Sequence, residues 1–160
     1  MRTKYRLDRI DHALLAELAK NARISNKDLA LLVGLSPSRT LERVRSLRQQ
    51  GVIRGYHAEI DPAALGVGIQ AMVAIRLRRH SRDVVATFRA HALGLTETVA
   101  VYHVAGVNDF LIHVATRDAD HLRDFALDAF TTRPEVGHVE TILIFEAARR
   151  GEMPDWEREG

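Results

Sequence analysis

The spacing of the apolar residues changes near residue 62, and this change limits the possible folds more than any other feature of the sequence. Up to about residue 50, apolar residues recur every three or four positions, as in helices with one buried face. From Ile69 to Leu77 they recur at every second position, as in a strand with one covered face. The sequence therefore predicts a helical domain at residues 1–61 and a sheet-containing domain at 62–150, followed by an acidic tail at 151–160.

Three short helices are predicted in the first domain. Asp8, Ser25 and Ser36 suit helix starts, because their side-chain oxygens can accept hydrogen bonds from N–H groups of the first turn. Gly34 is suited to end the second helix in a left-handed conformation, and only Leu35 separates it from the cap of the third. The second helix, the tight turn and the third helix match a helix-turn-helix domain, which presents its second helix to the major groove of DNA.

The third helix is predicted to carry the DNA-binding side chains. Leu41, Val44 and Leu47 are expected to face the core, so that Arg39 and Arg43 lie on the opposite side. Each of these arginines can pair with guanine, which is worth about 1–3 kcal/mol of discrimination. Arg45, Arg48 and Arg54 are expected to hold backbone phosphates, a positioning role. The full predicted DNA-binding set is Ser36, Ser38, Arg39, Thr40, Glu42, Arg43, Arg45, Ser46, Arg48 and Arg54.

The charge is divided unevenly along the chain. Residues 1–60 hold 12 Lys and Arg against 6 Asp and Glu, whereas residues 61–160 hold 11 against 15. A basic first third is suited to bind a polyanion, although a solvent-exposed helix face can carry a similar excess of Lys and Arg. A three-helix packing domain with a basic surface is therefore the alternative to a DNA-binding domain.

The second domain is predicted to have the element order βαββαβ. Before it, Val52–Ile60 is rich in strand-forming residues and is predicted to be an extended linker strand. The expected strands are 69–78, 96–104, 110–116 and 136–147, and the expected helices are 82–92 and 119–131. Two split βαβ units give a four-stranded antiparallel sheet with both helices on one face. The predicted fold class is thus α+β, a winged helix-turn-helix domain followed by a ferredoxin-like sandwich with one uncovered sheet face.

Other functional classes find little support in the sequence. The chain has no cysteine, and its eight histidines show no metal-binding spacing, so neither a metal nor a cofactor is predicted. A small enzyme is the alternative from another class, but capping explains Ser36 and Ser38, and no catalytic residue is predicted. An interaction adaptor, the other alternative, would bind DNA weakly and without salt dependence. No apolar run reaches about 18 residues and no signal peptide is recognised, so a cytoplasmic location without membrane contact is expected.

The chain resembles the Lrp/AsnC, or feast/famine, transcriptional regulators across nearly its whole length. The matching segments are Leu7–Asp11, Ala22–Ser25, Val33–Ser38, Leu41–Leu47 and Gly51–Tyr56. The resemblance implies a DNA-binding half and a regulatory half, whose sheet pairs with that of another subunit and whose effector pocket lies at subunit interfaces. We therefore expect a homodimer, assembling into tetramers or octamers, on a pseudo-palindromic site in double-stranded DNA.

The segment Gly106–Phe110 matches the Gly-x-x-Asp-aromatic loop of that family. Glycine allows close approach of the main chain, N–H groups can hold a carboxylate, and Asp109 could take an amino group, so the loop suits an α-amino acid effector. The same residues could instead only shape a hairpin turn, and a ligand-independent regulator remains an alternative. The resemblance gives as effector-binding residues His103, Gly106, Val107, Asn108, Asp109, Ala119, Thr141 and Ile142.

Overall fold

The computed structural model describes residues 6–148 and 153–155, which form two compact units. The first unit holds the described residues up to Glu59 and those after Ala147, and the second unit runs from Ile60 to Ala147. The boundary thus lies two residues before the predicted one. Met153–Asp155 belongs to the first unit instead of forming a separate tail. The rest of the predicted tail lies outside the described residues. Residues 1–5, which contribute to the prediction that no signal peptide is present, also lie outside them.

The first unit contains three helices, each beginning directly after its predicted cap. They are α1 (Arg9–Lys20), α2 (Asn26–Val33) and α3 (Pro37–Gln49). The cap hydrogen bonds join Asp8 to Asp11, Ser25 to Asp28 and Ser36 to Arg39. Gly34 ends α2 in the left-handed conformation with a φ of 70°, which a residue without Cβ adopts at little cost. The predicted helix-turn-helix is confirmed.

The orientation of α3 about its own axis differs from the prediction. Thr40 is fully buried, whereas Leu41 is 40% exposed. The inward stripe is therefore Thr40, Val44 and Leu47, which are spaced four and three residues apart and so lie on one helix face. Leu41 is turned by about 100° from Thr40, because an α-helix has about 3.6 residues per turn.

The linker at residues 52–60 forms no strand, contrary to the prediction. A β-strand needs a neighbouring strand to satisfy its N–H and C=O groups. Within the described chain, no segment pairs with these residues. Composition alone could not reveal the lack of a pairing partner.

The second unit has the predicted βαββαβ order. Its elements are β1 (Ile69–Leu77), α4 (Arg82–Gly94), β2 (Thr98–His103), β3 (Phe110–Thr116), α5 (Ala119–Ala126) and β4 (Val136–Ile144). The strands form one antiparallel sheet in the order β2-β3-β1-β4, which confirms the ferredoxin-like topology. The helix predicted at 119–131 is α-helical only to Ala126 and continues as a π-turn over Leu127–Thr131.

The core of the second unit lies between the sheet and its helices. Phe88 of α4 packs against Phe110 and Phe130, with ring centroids 4.9 Å and 6.1 Å apart. All three rings are fully buried. The opposite sheet face carries half-exposed apolar side chains, including Tyr102 and Ile142. This face is uncovered within one chain, as predicted.

Candidate DNA-binding surface and effector site

The face of α3 turned away from the core carries a stripe of exposed polar side chains, here called the outer stripe. It consists of Ser38, Glu42, Arg45 and Gln49. Their spacing of four, three and four residues places them on one helix face. Because this face makes no core contact, it is the part of α3 that can enter a DNA groove. The sequence prediction missed Gln49, as well as the exposed Leu41 beside the stripe, because it turned the helix by about one residue.

Arg43 does not belong to the outer stripe. One of its guanidinium nitrogens donates to the carboxylates of Asp8 at 2.7 Å and Asp11 at 2.8 Å, which ties α3 to the first turn of α1. A hydrogen bond from the N–H of Asp11, together with the bond from Arg43, lowers the pKa of Asp8, and the two carboxylates raise the pKa of Arg43. Arg43 is thus occupied within the first unit. The structure shows Arg43 in a contact that positions α3, and its predicted base contact stays a prediction.

Three further predicted DNA-binding residues are engaged inside the first unit. Thr40 is buried, so its predicted DNA contact is wrong. Its Oγ1 has no hydrogen-bond partner within the described residues. The Ser36 hydroxyl accepts the Arg39 N–H at 3.4 Å as the helix cap, and the half-buried Ser46 hydroxyl accepts from Nε2 of Gln50 at 2.9 Å. These residues shape α3, whereas the outer stripe stays exposed.

The other four arginines of the predicted DNA-binding set are exposed on the first unit. Arg39, Arg45 and Arg54 form no ion pair with any residue that the structure describes. Arg48 lies over the ring of Tyr56, 5.7 Å from the centroid, and no carboxylate of the described residues pairs with it. Such cations suit the phosphates of a nucleic acid backbone.

The loop between β2 and β3 presents unused main-chain donors. Gly106 has a φ of 134°, a conformation that residues with a Cβ rarely adopt. Within the described chain, no hydrogen bond uses the N–H groups of Gly106, Val107 or Asn108. Val107 is 79% exposed, so these donors lie at the surface. Consecutive free N–H groups of this kind can form a site for a carboxylate.

Asp109 holds this loop against the end of β1. Its carboxylate accepts the N–H of Leu77 at 2.7 Å and lies 2.9 Å from Nε2 of His80. Its own N–H donates to the carbonyl of Ile75 at 2.8 Å. On the other side of the loop, His103 stacks on the ring of Phe110 with centroids 4.8 Å apart. Asp109 and His103 therefore shape the loop, and the N–H groups of residues 106–108 remain its unused donors among the described residues.

The other predicted effector residues lie elsewhere in the second unit. Ala119 and Thr141 line an open groove of about 380 Å³ between α5 and β4. Ile142 lies on the uncovered sheet face, next to Met72 of β1. The seven residues of β3 separate the Gly106 loop from α5 by roughly 20 Å, given a rise of about 3.3 Å per residue. One chain therefore does not bring the predicted effector residues together.

Two further kinds of site are not found in the described part of the chain. No three His, Asp or Glu side chains at residues 6–148 and 153–155 are grouped so that they could hold a metal ion. None of the described helices combines the length and the apolar character needed to cross a bilayer.

Comparison with known proteins connects both units to transcriptional regulators. A family model described as winged helix-turn-helix DNA-binding matches residues 7–54, and one described as the Lrp/AsnC ligand binding domain matches residues 70–153. The HTH-type transcriptional regulator AldR of Mycolicibacterium smegmatis is 43% identical over 143 residues, which cover 89% of this chain and 84% of AldR. The leucine-responsive regulatory protein of Escherichia coli is 36% identical over 144 residues, covering 90% of this chain and 88% of that protein.

Solved structures show the same architecture. Escherichia coli AsnC matches with a TM-score of 0.80 and 27% identity, over 91% of this chain and 97% of AsnC. A transcriptional regulator of Neisseria meningitidis in complex with L-Met matches with a TM-score of 0.82 and 26% identity, over 91% and 94% of the two chains. These relatives are regulators and not enzymes. The chain therefore belongs to the Lrp/AsnC family and is a DNA-binding transcriptional regulator with a ligand-binding domain.

Proposed function

We propose that this regulator reads its operator with the outer stripe of α3. The supporting observation is that Ser38, Glu42, Arg45 and Gln49 are exposed opposite the buried stripe. Arg45 can donate to O6 and N7 of guanine, Glu42 can accept from N4 of cytosine, and Gln49 can pair with adenine. Arg39, Arg48 and Arg54 then hold phosphates. This assignment exchanges two roles predicted from sequence: Arg45 moves from phosphate contacts to base contacts, and Arg39 moves from base contacts to phosphate contacts.

Two arginine variants test this division of roles. The probe is a duplex selected by the unaltered protein from a random-sequence pool, compared with a scrambled duplex across a salt series. Arg45→Ala should flatten the preference for the selected duplex, by about 1–3 kcal/mol for one lost base contact. Arg39→Ala should weaken binding to both duplexes and lower the salt slope by about 0.9. An unchanged preference in Arg45→Ala would show that another residue reads the operator.

We further propose that the effector is an α-amino acid whose carboxylate binds the N–H groups of Gly106, Val107 and Asn108. The unused donors and the positive φ of Gly106 support this placement. The names of two relatives, one called leucine-responsive and one solved with L-Met, agree with an amino acid. The carboxylate of Asp109 serves mainly to hold the loop, because Leu77 and His80 already occupy it.

We also propose that the effector pocket is completed by a second subunit. Within one chain the Gly106 loop, the groove at Thr141 and the exposed Ile142 occupy three different places. A homodimer that covers the open sheet face, and further assembly into tetramers or octamers, would bring such surfaces together. An amino acid that binds one assembly more tightly than another would then change DNA binding at a pseudo-palindromic site. We place this activity in the cytoplasm.

Calorimetric titration with each of the twenty amino acids tests the effector proposal. At least one should bind, and Gly106→Ala should weaken that binding by about tenfold or more, because an alanine disfavours the φ of 134°. Gly94→Ala is the matched control, since Gly94 has no positive φ and nothing within 4 Å of an added Cβ. If no amino acid binds, the protein is a regulator that works without this class of ligand.

A further inference from the structure

The C-terminal segment contacts the first helix of the first unit. Oδ2 of Asp155 lies 2.7 Å from Nδ1 of His12 on α1. The His12 side chain is only 9% exposed, whereas that of Asp155 is 36% exposed. An ionised carboxylate can only accept hydrogen bonds, so Nδ1 carries the proton and donates it. The largely buried Nδ1–H of His12 thus has its acceptor on Asp155, 143 positions away in the sequence.

His12 directly follows one of the two residues that hold α3. Asp11, together with Asp8, accepts the hydrogen bonds from Arg43 described above. Two successive residues of α1 therefore make two different contacts, Asp11 with the DNA-binding helix and His12 with the C-terminal segment. A shift of this part of α1 moves the carboxylates that orient Arg43, and contiguous polar contacts of this kind can carry coupling between sites.

The C-terminal segment is also the continuation of the second unit. That unit ends at Ala147, and the described residues beyond it belong to the first unit. The described part of the C-terminal segment therefore belongs to the first unit, where Asp155 contacts α1.

We propose that Asp155 and His12 are positioning residues for DNA recognition. Their hydrogen bond fastens the C-terminal segment to α1, and through Asp11 and Arg43 it fixes the orientation of α3. Contacts to base edges require placement within about 0.5 Å, whereas phosphate contacts carry no sequence information and tolerate a looser fit. Loss of the bond therefore weakens specific binding more than non-specific binding.

Variants of Asp155 in the full chain test this proposal. Asp155→Ala removes the acceptor, Asp155→Asn keeps an acceptor oxygen, and Met153→Ala alters an 89% exposed neighbour in the same segment. The dissociation constants for the selected duplex and the scrambled duplex are measured at one salt concentration, and stoichiometric titration gives the active fraction. Asp155→Ala should weaken binding to the selected duplex at least fivefold and to the scrambled duplex less than twofold. For Asp155→Asn and Met153→Ala, the dissociation constants for both duplexes should stay within twofold of those of the unaltered protein.

Variants of His12 give an independent check. His12→Asn retains a nitrogen near Nδ1, whereas His12→Gln places its amide near Nε2, so only His12→Gln should match Asp155→Ala. The double variant His12→Gln/Asp155→Ala should lose no more affinity than Asp155→Ala alone, because the change at His12 then has no acceptor left to lose. An unchanged ratio of the two dissociation constants in Asp155→Ala, with at most a lower active fraction, would show that the contact only stabilises the fold. An equal loss in Asp155→Asn and Asp155→Ala would overturn the hydrogen-bond account.

Discussion

The two units are stabilised in different ways. Among the described residues, the core cluster of the first unit has three buried side chains, Leu14, Leu29 and Leu47, whereas that of the second has fourteen. The first unit adds polar contacts at the ends of its helices, including the caps and the pair of bonds from Arg43. These polar contacts therefore add to the buried stripe of α3 in holding that helix. The second unit depends on packing and leaves its loop N–H groups and one sheet face available.

The largest expected effect is in the core of the second unit. Phe110→Ala should lower the free energy of unfolding of that unit by about 3–5 kcal/mol, because it leaves a cavity beside Phe88. Hydrogen exchange should show lost protection in β1 and β3 and retained protection in α1–α3. Leu93→Ala, at a 60% exposed position of α4, is the control with a small effect. Equal loss in both units would mean that they unfold as one.

A smaller effect is expected from the ion pair of the first unit. Arg43→Ala should lower its free energy of unfolding by about 1 kcal/mol, since the pair is partly exposed and therefore screened. Arg45→Ala, an exposed arginine without a described ion pair, should change stability by less than about 0.5 kcal/mol. Urea unfolding followed by circular dichroism measures both. Equal losses would remove the distinction between a positioning arginine and a DNA-facing one.

Acid should weaken the first unit through Asp8. Its pKa is lowered in the folded state, so its contribution is present above the ordinary value of 3.8 and is lost as pH falls through the folded pKa. The loss should be well under 1 kcal/mol, because Asp8 is half exposed. Asp8→Asn keeps a cap but cannot ionise, so its stability should vary less between pH 5 and 2. A parallel pH profile in both proteins would assign the acid sensitivity to other carboxylates.

The smallest effect is expected at Thr40. Its buried hydroxyl has no partner among the described residues, so Thr40→Val should leave the stability unchanged or raise it slightly. Thermal unfolding compares this variant with Thr40→Ala, which removes the same hydroxyl and also leaves space in the core. A clear loss in Thr40→Val would show that the hydroxyl is satisfied in solution.

Local features of the sequence predicted most of the fold. The caps at Asp8, Ser25 and Ser36 gave the helix starts, and two-residue alternation gave β1, because both patterns depend on neighbouring residues. The rotation of α3 was mispredicted, because the apolar Leu41 was expected inside and the polar Thr40 outside.

The contacts that position the sites could not be predicted in this way. Arg43 meets Asp8 across 35 positions, and His12 meets Asp155 across 143, so neither pair leaves a mark in local periodicity. The family pattern identifies the Gly106 loop, whereas its unused N–H groups and the bonds of Asp109 follow only from the three-dimensional structure. The distance between that loop and Ala119 depends on the length of β3.

The most direct test of the whole account is the affinity of the full chain for its selected duplex, measured across a salt series with and without a mixture of the twenty amino acids. We expect binding that is much tighter than to the scrambled duplex, falls steeply with salt, and changes several-fold when the mixture is present. Equal affinity for the selected and scrambled duplexes, with or without the mixture, would contradict the account.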